Sequence, residues 1–305
     1  MVQCSQVLLQ ASLLASWYNM TETEGDSMNN TSTETEERKK ERKTSKKRVL
    51  LIVLLAVFAV ILAVVIYVAV QAGQNKEQMN LCADAAIADI GSAYTLTHVD
   101  CSEFENLTVY GFMKFKIEQY DVEGLGNLCV MRANGGVMQM LTITLTPAKI
   151  DMPLFSVDYM YILGNRTAYV EVYDLHIGES QVRENTIEKL KAIDAQFSEL
   201  ADTTPSSAWY DSLRPAGSYK KVAAKEDDTL LEMLKRYLNE YLSGAKECEP
   251  LPEDKIPEKL DAMEAYTHRL ISEGGISTDV FKKELGEEKT RKFFDSVMFG
   301  TGNYR

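Results

Sequence analysis

Few residues in this chain have the types and spacing of a ready-made catalytic site. The three histidines, His98, His176 and His268, lie far apart in sequence and are too few for an all-imidazole metal site. Each reads as a surface group or a satisfied core residue. Four of the five cysteines, Cys82, Cys101, Cys129 and Cys248, stand at spacings that match no CxxC metal or redox pattern. Nucleophile-elbow, HExxH, P-loop and dinucleotide fingerprints are absent, and Gly124-Leu125-Gly126 is too short to cradle a phosphate. The acid pairs Asp227-Asp228 and Glu287-Glu288 stand where helices are expected to begin, and there the backbone dipole favours negative charge. That leaves Asp158, a carboxyl closing the run Pro153-Leu154-Phe155-Ser156-Val157-Asp158. Such a group caps a turn or pairs with a base at a strand end. In an apolar pocket it would instead keep its proton near neutral pH, ready for transfer.

The elements around it read as a strand block followed by helices. Residues 79–93 form a helical pattern. Strands are expected at 108–119, 128–132, 137–146, 157–163 and 167–173, with Asn134-Gly135-Gly136 and Gly164-Asn165 as hairpin turns. Five consecutive strands with tight turns predict an antiparallel sheet. Residues 184–200 carry Ile187, Leu190, Ile193 and Phe197 at helical spacing. Residues 225–242 place Leu230, Leu231, Leu234, Tyr237, Leu238 and Tyr241 on one face, with Gly244 as the C-cap. Further helices are expected at 257–272, from Thr278, and over 287–299. Residues 207–213 are irregular or a short strand, broken by Pro215-Ala216-Gly217. Sheet first and helices after is an α+β layout, with helices packed on the sheet faces.

One segment sets the organisation of the whole chain. Residues 49–70 are 22 consecutive uncharged residues, nearly all Val, Leu, Ile or Ala. At about 1.5 Å per residue they reach about 33 Å, enough to span the hydrocarbon core as a helix. The stretch Arg38-Lys39-Lys40-Glu41-Arg42-Lys43-Thr44-Ser45-Lys46-Lys47-Arg48 precedes them, and Lys76 is the one base between the run and residue 110. That asymmetry predicts a single-pass protein with a cytoplasmic N-terminus and an extracytoplasmic C-terminal domain, anchored by an uncleaved helix. The expected domains are a disordered polar and basic segment 1–48, a transmembrane helix 49–70, a linker 71–80 and a folded domain 81–305. Four cysteines outside the cytoplasm allow one or two disulfides or buried free thiols. A net charge of −12 over 305 residues argues against nucleic acid as the partner.

Three segments in order resemble the ferredoxin-dependent bilin reductases and red chlorophyll catabolite reductases. The first is Pro153-Leu154-Phe155-Ser156-Val157-Asp158, similar to that family's Pro-Leu-Phe-Gly-x-Asp signature. The second is Leu213-Arg214-Pro215 after Trp209-Tyr210. The third is the tail: a helix over 225–243, the loop Glu249-Pro250-Leu251, then Lys283-Glu284-Leu285-Gly286-Glu287 and a last helix ending Val297-Met298-Phe299. The resemblance covers residues 80–299. It implies an α/β/α sandwich binding a linear tetrapyrrole between sheet and C-terminal helices, with no bound flavin or metal. A ferredoxin-like protein would supply electrons from outside. Asp158 would be the proton donor, Arg214 a propionate anchor and Phe155 a pocket wall.

Two features depart from that pattern. The strand Met140-Leu141-Thr142-Ile143-Thr144 carries no histidine, and no second acid stands in register before the penultimate helix. The acidic chain also opposes docking of an acidic donor, apart from the local bases Lys220-Lys221, Lys282-Lys283 and Lys289 with Arg291-Lys292. A non-catalytic ligand-binding or envelope interaction domain on the same scaffold is therefore the alternative.

Overall fold

Period-two alternation in the middle of the chain and helical stripes on either side of it build three layers. The computed structural model describes residues 32–275 and 278–305, with backbone alone for 32–39 and 41. Residues 1–31, the greater part of the segment expected to be disordered, lie outside the described residues. The chain divides into two units, Met1–Leu62 and Ala63–Arg305. One helix, α1 (Ser32–Ala93), contributes to both. It is the helix among the described residues long and apolar enough to cross a membrane. The side chains of its apolar run are exposed to the surroundings rather than buried in protein. The linker expected at 71–80 is also helix, because a helix already nucleated propagates through residues without a breaker.

Ala63–Arg305 holds a sheet of eight strands: β1 (Leu96–Val99), β2 (Asn106–Val109), β3 (Met113–Val122), β4 (Gly126–Asn134), β5 (Met138–Pro147), β6 (Leu154–Ile162), β7 (Asn165–Tyr173) and β8 (Ala216–Ala223). The order is β1-β3-β4-β5-β6-β7-β8, with β2 also on β3, and every pairing is antiparallel. Three of these strands depart from expectation, the first being β1, which no expected strand covers. The single strand expected at 108–119 is β2, a turn and β3, because Tyr110 and Gly111 both take positive φ, 54° and 73°, with only one glycine to mark the turn. β8 begins at Ala216, inside the Pro215-Ala216-Gly217 expected to be a break. Gly217 fits there because a Cβ would come within 2.8 Å of the Val170 carbonyl on β7.

Helices cover both faces. On one side α1 (through Met79, Ala83, Ala86 and Ile90), α2 (Gln181–Asp194) and α3 (Asp227–Glu247) pack on Leu141, Ile143, Phe155, Val157 and Val170. Ser180 caps α2, its Oγ accepting from the Arg183 N–H at 3.3 Å. Gly244 lies inside α3 rather than at its C-cap. A Cβ there would fall 2.0 Å from Thr186 Oγ1, so the glycine sets how closely α2 and α3 approach. Asp227 does open α3, and its carboxylate also clamps the buried Arg166 of β7 at 2.6 and 2.8 Å.

On the other side lie α4 (Ile256–Glu273), α5 (Thr278–Leu285) and α6 (Glu287–Phe293), the last running into a π turn, Phe294–Met298. They cover Ile117, Cys129, Met131, Leu154 and Tyr173. The buried Lys259 ties α4 to the β5–β6 connection, donating to Asp151 at 3.0 Å and to the Met152 and Leu175 carbonyls at 2.9 and 2.8 Å. Arg183 meets the same carboxylate at 3.0 Å. Cys82, Cys101, Cys129 and Cys248 are all free thiols.

Candidate functional site

Neighbouring strands of one sheet face bring polar side chains together beneath α4 and the π turn. In register, Thr142 of β5 stands beside Asp158 of β6 and Tyr169 of β7, and Thr144 stands beside Ser156 and Glu171. Successive strand residues point to opposite faces, so 154, 156 and 158 share one side with 171 and 173. With Tyr210, Tyr266, Phe294 and Phe299 these residues line a pocket of about 60 Å³. Its walls are largely aromatic. Tyr266 lies 5.1 Å from Tyr173 and 6.4 Å from Phe299, and Trp209 reaches behind them to donate to the Gly274 carbonyl at 3.0 Å.

Asp158 is among the residues that line this pocket, at its floor on β6. The Thr142 hydroxyl donates to its Oδ1 at 2.7 Å. Enclosure by protein pushes the carboxyl up to about 7, and the nearby Glu171 charge adds to the rise. The Thr142 and Ser156 hydrogen bonds act in the opposite sense. Burial wins because two hydroxyl donors do not replace the water that a carboxylate loses. The carboxyl thus changes charge near neutral pH, within a pocket whose lining is mostly apolar.

The other two expected residues are placed differently. Phe155 is buried on the opposite face of β6, its ring 5.2 Å from Tyr241 of α3, and does not line the pocket. Strand parity requires this: 155 and 158 differ by an odd number and cannot share a face. Arg214 stands behind the pocket rather than in its wall. Its Nη1 donates to Glu171 Oε1 at 2.5 Å and its Nη2 to Asp211. Its guanidinium lies over the Tyr210 and Tyr219 rings, at 5.3 and 5.6 Å. The fork is already occupied by carboxylates of the chain itself.

Glu171 is the functional residue that the sequence reading missed. It is buried, receives the Tyr173 hydroxyl at 2.6 Å and holds Arg214. The ion pair satisfies a charge that burial alone would make costly. Tyr173 thus links the aromatic wall it forms with Tyr266 of α4 to the buried carboxylate of Glu171. Its signal was available in the alternation of Tyr169, Glu171 and Tyr173 along an expected strand.

No histidine lines the pocket. His268 meets Asp295 at 3.1 Å, His176 meets Asp174 at 3.2 Å, and His98 packs edge-on to Tyr120. Among the described residues no cluster of His, Cys, Asp and Glu could hold a metal. Of the local bases, Lys220 is buried and committed to Asp194 and Asp202 at 3.0 and 2.5 Å.

No protein-family model matches the chain, and no curated protein matches its sequence. Solved structures do match in shape. Phytochromobilin synthase from tomato, crystallised in complex with biliverdin, aligns at a TM-score of 0.59 and 16% identity, covering 72% of this chain and 82% of that one. The likeness establishes the fold: an α/β/α scaffold of the bilin reductase kind.

Proposed function

We propose that this chain is a membrane-anchored domain that binds a linear tetrapyrrole between the sheet and α4 to α6 and reduces it with protons supplied by Asp158. A single observation carries the reading: a carboxyl held near pH 7 at the floor of an aromatic-walled pocket, on a bilin reductase-like scaffold. A protonated pigment accepts an electron more readily, and an acid with a pKa near the working pH both holds and delivers that proton. Electrons would come from an external ferredoxin-like donor, and no bound flavin or metal is required. In this reading residues 49–70 cross the bilayer, with the N-terminus in the cytoplasm and the domain outside.

The alternative, a non-catalytic ligand-binding or envelope interaction domain on the same scaffold, draws on two further observations. The pocket, at about 60 Å³, is far below the roughly 300–1,000 Å³ of ligand sites, so α4 to α6 must move outward to admit a pigment. Arg214 is held by Glu171 and Asp211 and does not reach a propionate. An extracytoplasmic domain would also be separated from a cytosolic donor.

Biliverdin titrated into the full chain in lipid nanodiscs, then exposed to a ferredoxin-type reducing system without oxygen, separates these readings. A stoichiometric spectral shift followed by bleaching is expected. Asp158→Asn is expected to keep the shift and lose the bleaching. A shift without bleaching in the parent chain favours the binding domain, and no shift removes the tetrapyrrole from both.

A further inference from the structure

Outside the apolar run, the large apolar side chains left exposed among the described residues are Leu81, Tyr110, Phe112, Val137 and Ile162. Four of these five stand at one end of the sheet. Tyr110 and Phe112 belong to the β2–β3 turn, Val137 to the β4–β5 turn, and Ile162 ends β6. The turns touch in a row. A Cβ on Gly135 would lie 3.3 Å from the Phe112 ring. The Leu163 N–H donates to the Val137 carbonyl at 3.4 Å, and the Ala224 N–H to the Gly164 carbonyl at 2.9 Å. The row ends against α1, where a Cβ on Gly164 would lie 3.6 Å from Gln71 Oε1 and 3.9 Å from the Tyr67 hydroxyl. Tyr67 belongs to the apolar run and Gln71 ends it, so these turns stand level with the point where the run meets water.

The backbone supplies an independent observation. Tyr110, with φ of 54°, and Leu163, with φ of 50°, are the two described non-glycine residues in the left-handed region. That region favours Gly or Asn, and bulky apolar residues there are outliers. Both lie in this row. Neither side chain belongs to the buried core, although Tyr110 is also tied to α5, its N–H donating to Glu284 Oε1 at 3.0 Å and its ring lying 5.4 Å from the Lys283 ammonium.

Charge agrees with the placement. A cleft of about 500 Å³ opens beside the row; in its lining Lys116 and Arg132 are paired with Glu118 and Asp84, which leaves Lys76 and Lys114 as its further bases. Neither lysine has an acid within ion-pair reach among the described residues. Lys76 is six residues beyond Val70, about 9 Å along the helix, which is headgroup depth for a run ending at the hydrocarbon edge. Aromatic and aliphatic side chains with lysines beside them are the composition of a surface that lies in the membrane interface.

We propose that this row of turns rests on the bilayer that holds the anchor. Phe112, Val137 and Ile162, with Tyr110 and Leu163, enter the interfacial layer, and Lys76 and Lys114 face anionic headgroups. The proposal rests on reading residues 49–70 as a membrane span. The domain is then attached at two places, the helix and the sheet end.

Bromolipid quenching tests this on the full chain reconstituted in phosphatidylcholine–phosphatidylserine vesicles brominated high on the acyl chain. Phe112→Trp adds a reporter in the row, and Glu123→Trp adds one in the β3–β4 turn at the far end of the sheet. Emission is read as the increment over the parent, which carries Trp17 and Trp209. The lipids are expected to quench at least half of the Phe112→Trp increment and little of the other. Ile162→Trp gives the same readout should the first variant fail to fold. Vesicle flotation after alkaline wash separates the two layers of the argument. A chain that floats with both reporters unquenched overturns the lipid contact and leaves the anchor standing. A chain that washes off overturns both.

Discussion

The two faces of the sheet are made by the same strands and do opposite work. Toward α2 and α3, β5 to β7 present Leu141, Ile143, Phe155, Val157 and Val170 to an apolar layer. Toward α4 and the π turn, the alternate residues of those strands are Thr142, Thr144, Ser156, Asp158 and Glu171. On the first face these side chains pack, and the buried charge beside them, Arg166, is clamped by Asp227 at the start of α3. The other gives up packing for polar groups whose burial must be compensated one by one, by Thr142 for Asp158 and by Arg214 and Tyr173 for Glu171. The lesson is that the apolar core and the polar pocket residues of β5 to β7 are separated by parity along single strands rather than by distance along the chain.

That separation can be broken from either side. The largest effect is expected from Phe155→Ala, which opens a cavity against Tyr241 and should cost about 3–5 kcal/mol in urea unfolding. Titration of Asp158, followed by carboxyl NMR shifts, should not move. A moved midpoint would mean that the faces are coupled through β6.

Asp158→Asn should act through pH. The folded chain holds the Asp158 proton up to about 7 against an ordinary value of 3.8, so the native state binds it more tightly than the unfolded state. The parent therefore loses stability as pH rises from about 4 to about 7, by up to about 4 kcal/mol, and the loss persists above that window. The amide mimics the neutral acid and removes the loss. Unfolding midpoints should favour the variant at pH 8 and converge near pH 4. Equal midpoints at both would show a carboxylate that ionises freely in the fold.

Thr142→Val is the smallest perturbation. Losing one hydrogen bond should cost about 1 kcal/mol at pH 8, where Asp158 is charged, and less at pH 5. The Asp158 midpoint should rise, because a hydroxyl donor that favoured the carboxylate is gone. A fall would reverse the assigned role of the hydroxyl.

Much of this architecture could be read before the structure. Alternation and turn residues located β4 to β7, apolar stripes located α2 to α4, and Asp158 stands in the pocket floor. The misses have physical causes. The β2–β3 turn was hidden because Tyr110 takes a conformation that residue type does not advertise. β8 was hidden because Gly217 looks like a breaker and is instead a point of close strand approach. Gly244 looked like a helix end because nothing in α3 alone shows that Thr186 of α2 will lie against it. The role of Glu171 depends on Arg214, 43 residues away, and only the β7–β8 crossover brings them together.

The four free thiols have a consequence for how loosening of this fold could be followed. Burial pushes Cys82 up to about 11 and raises Cys101, Cys129 and Cys248. Near pH 7 Cys82 is a thiolate in roughly one molecule in ten thousand, and the thiolate is the form that alkylates or oxidises. Labelling of the buried Cys82, Cys101 and Cys129 must therefore wait for the protein to open, whereas Cys248 is half-buried. Cys82 lies in the layer of α1 and α3, whereas Cys101 and Cys129 lie in the layer of α4 to α6. The chain thus carries native clocks on opposite sides of its sheet, and a maleimide pulse read by peptide mass would time the breathing of each helical layer separately.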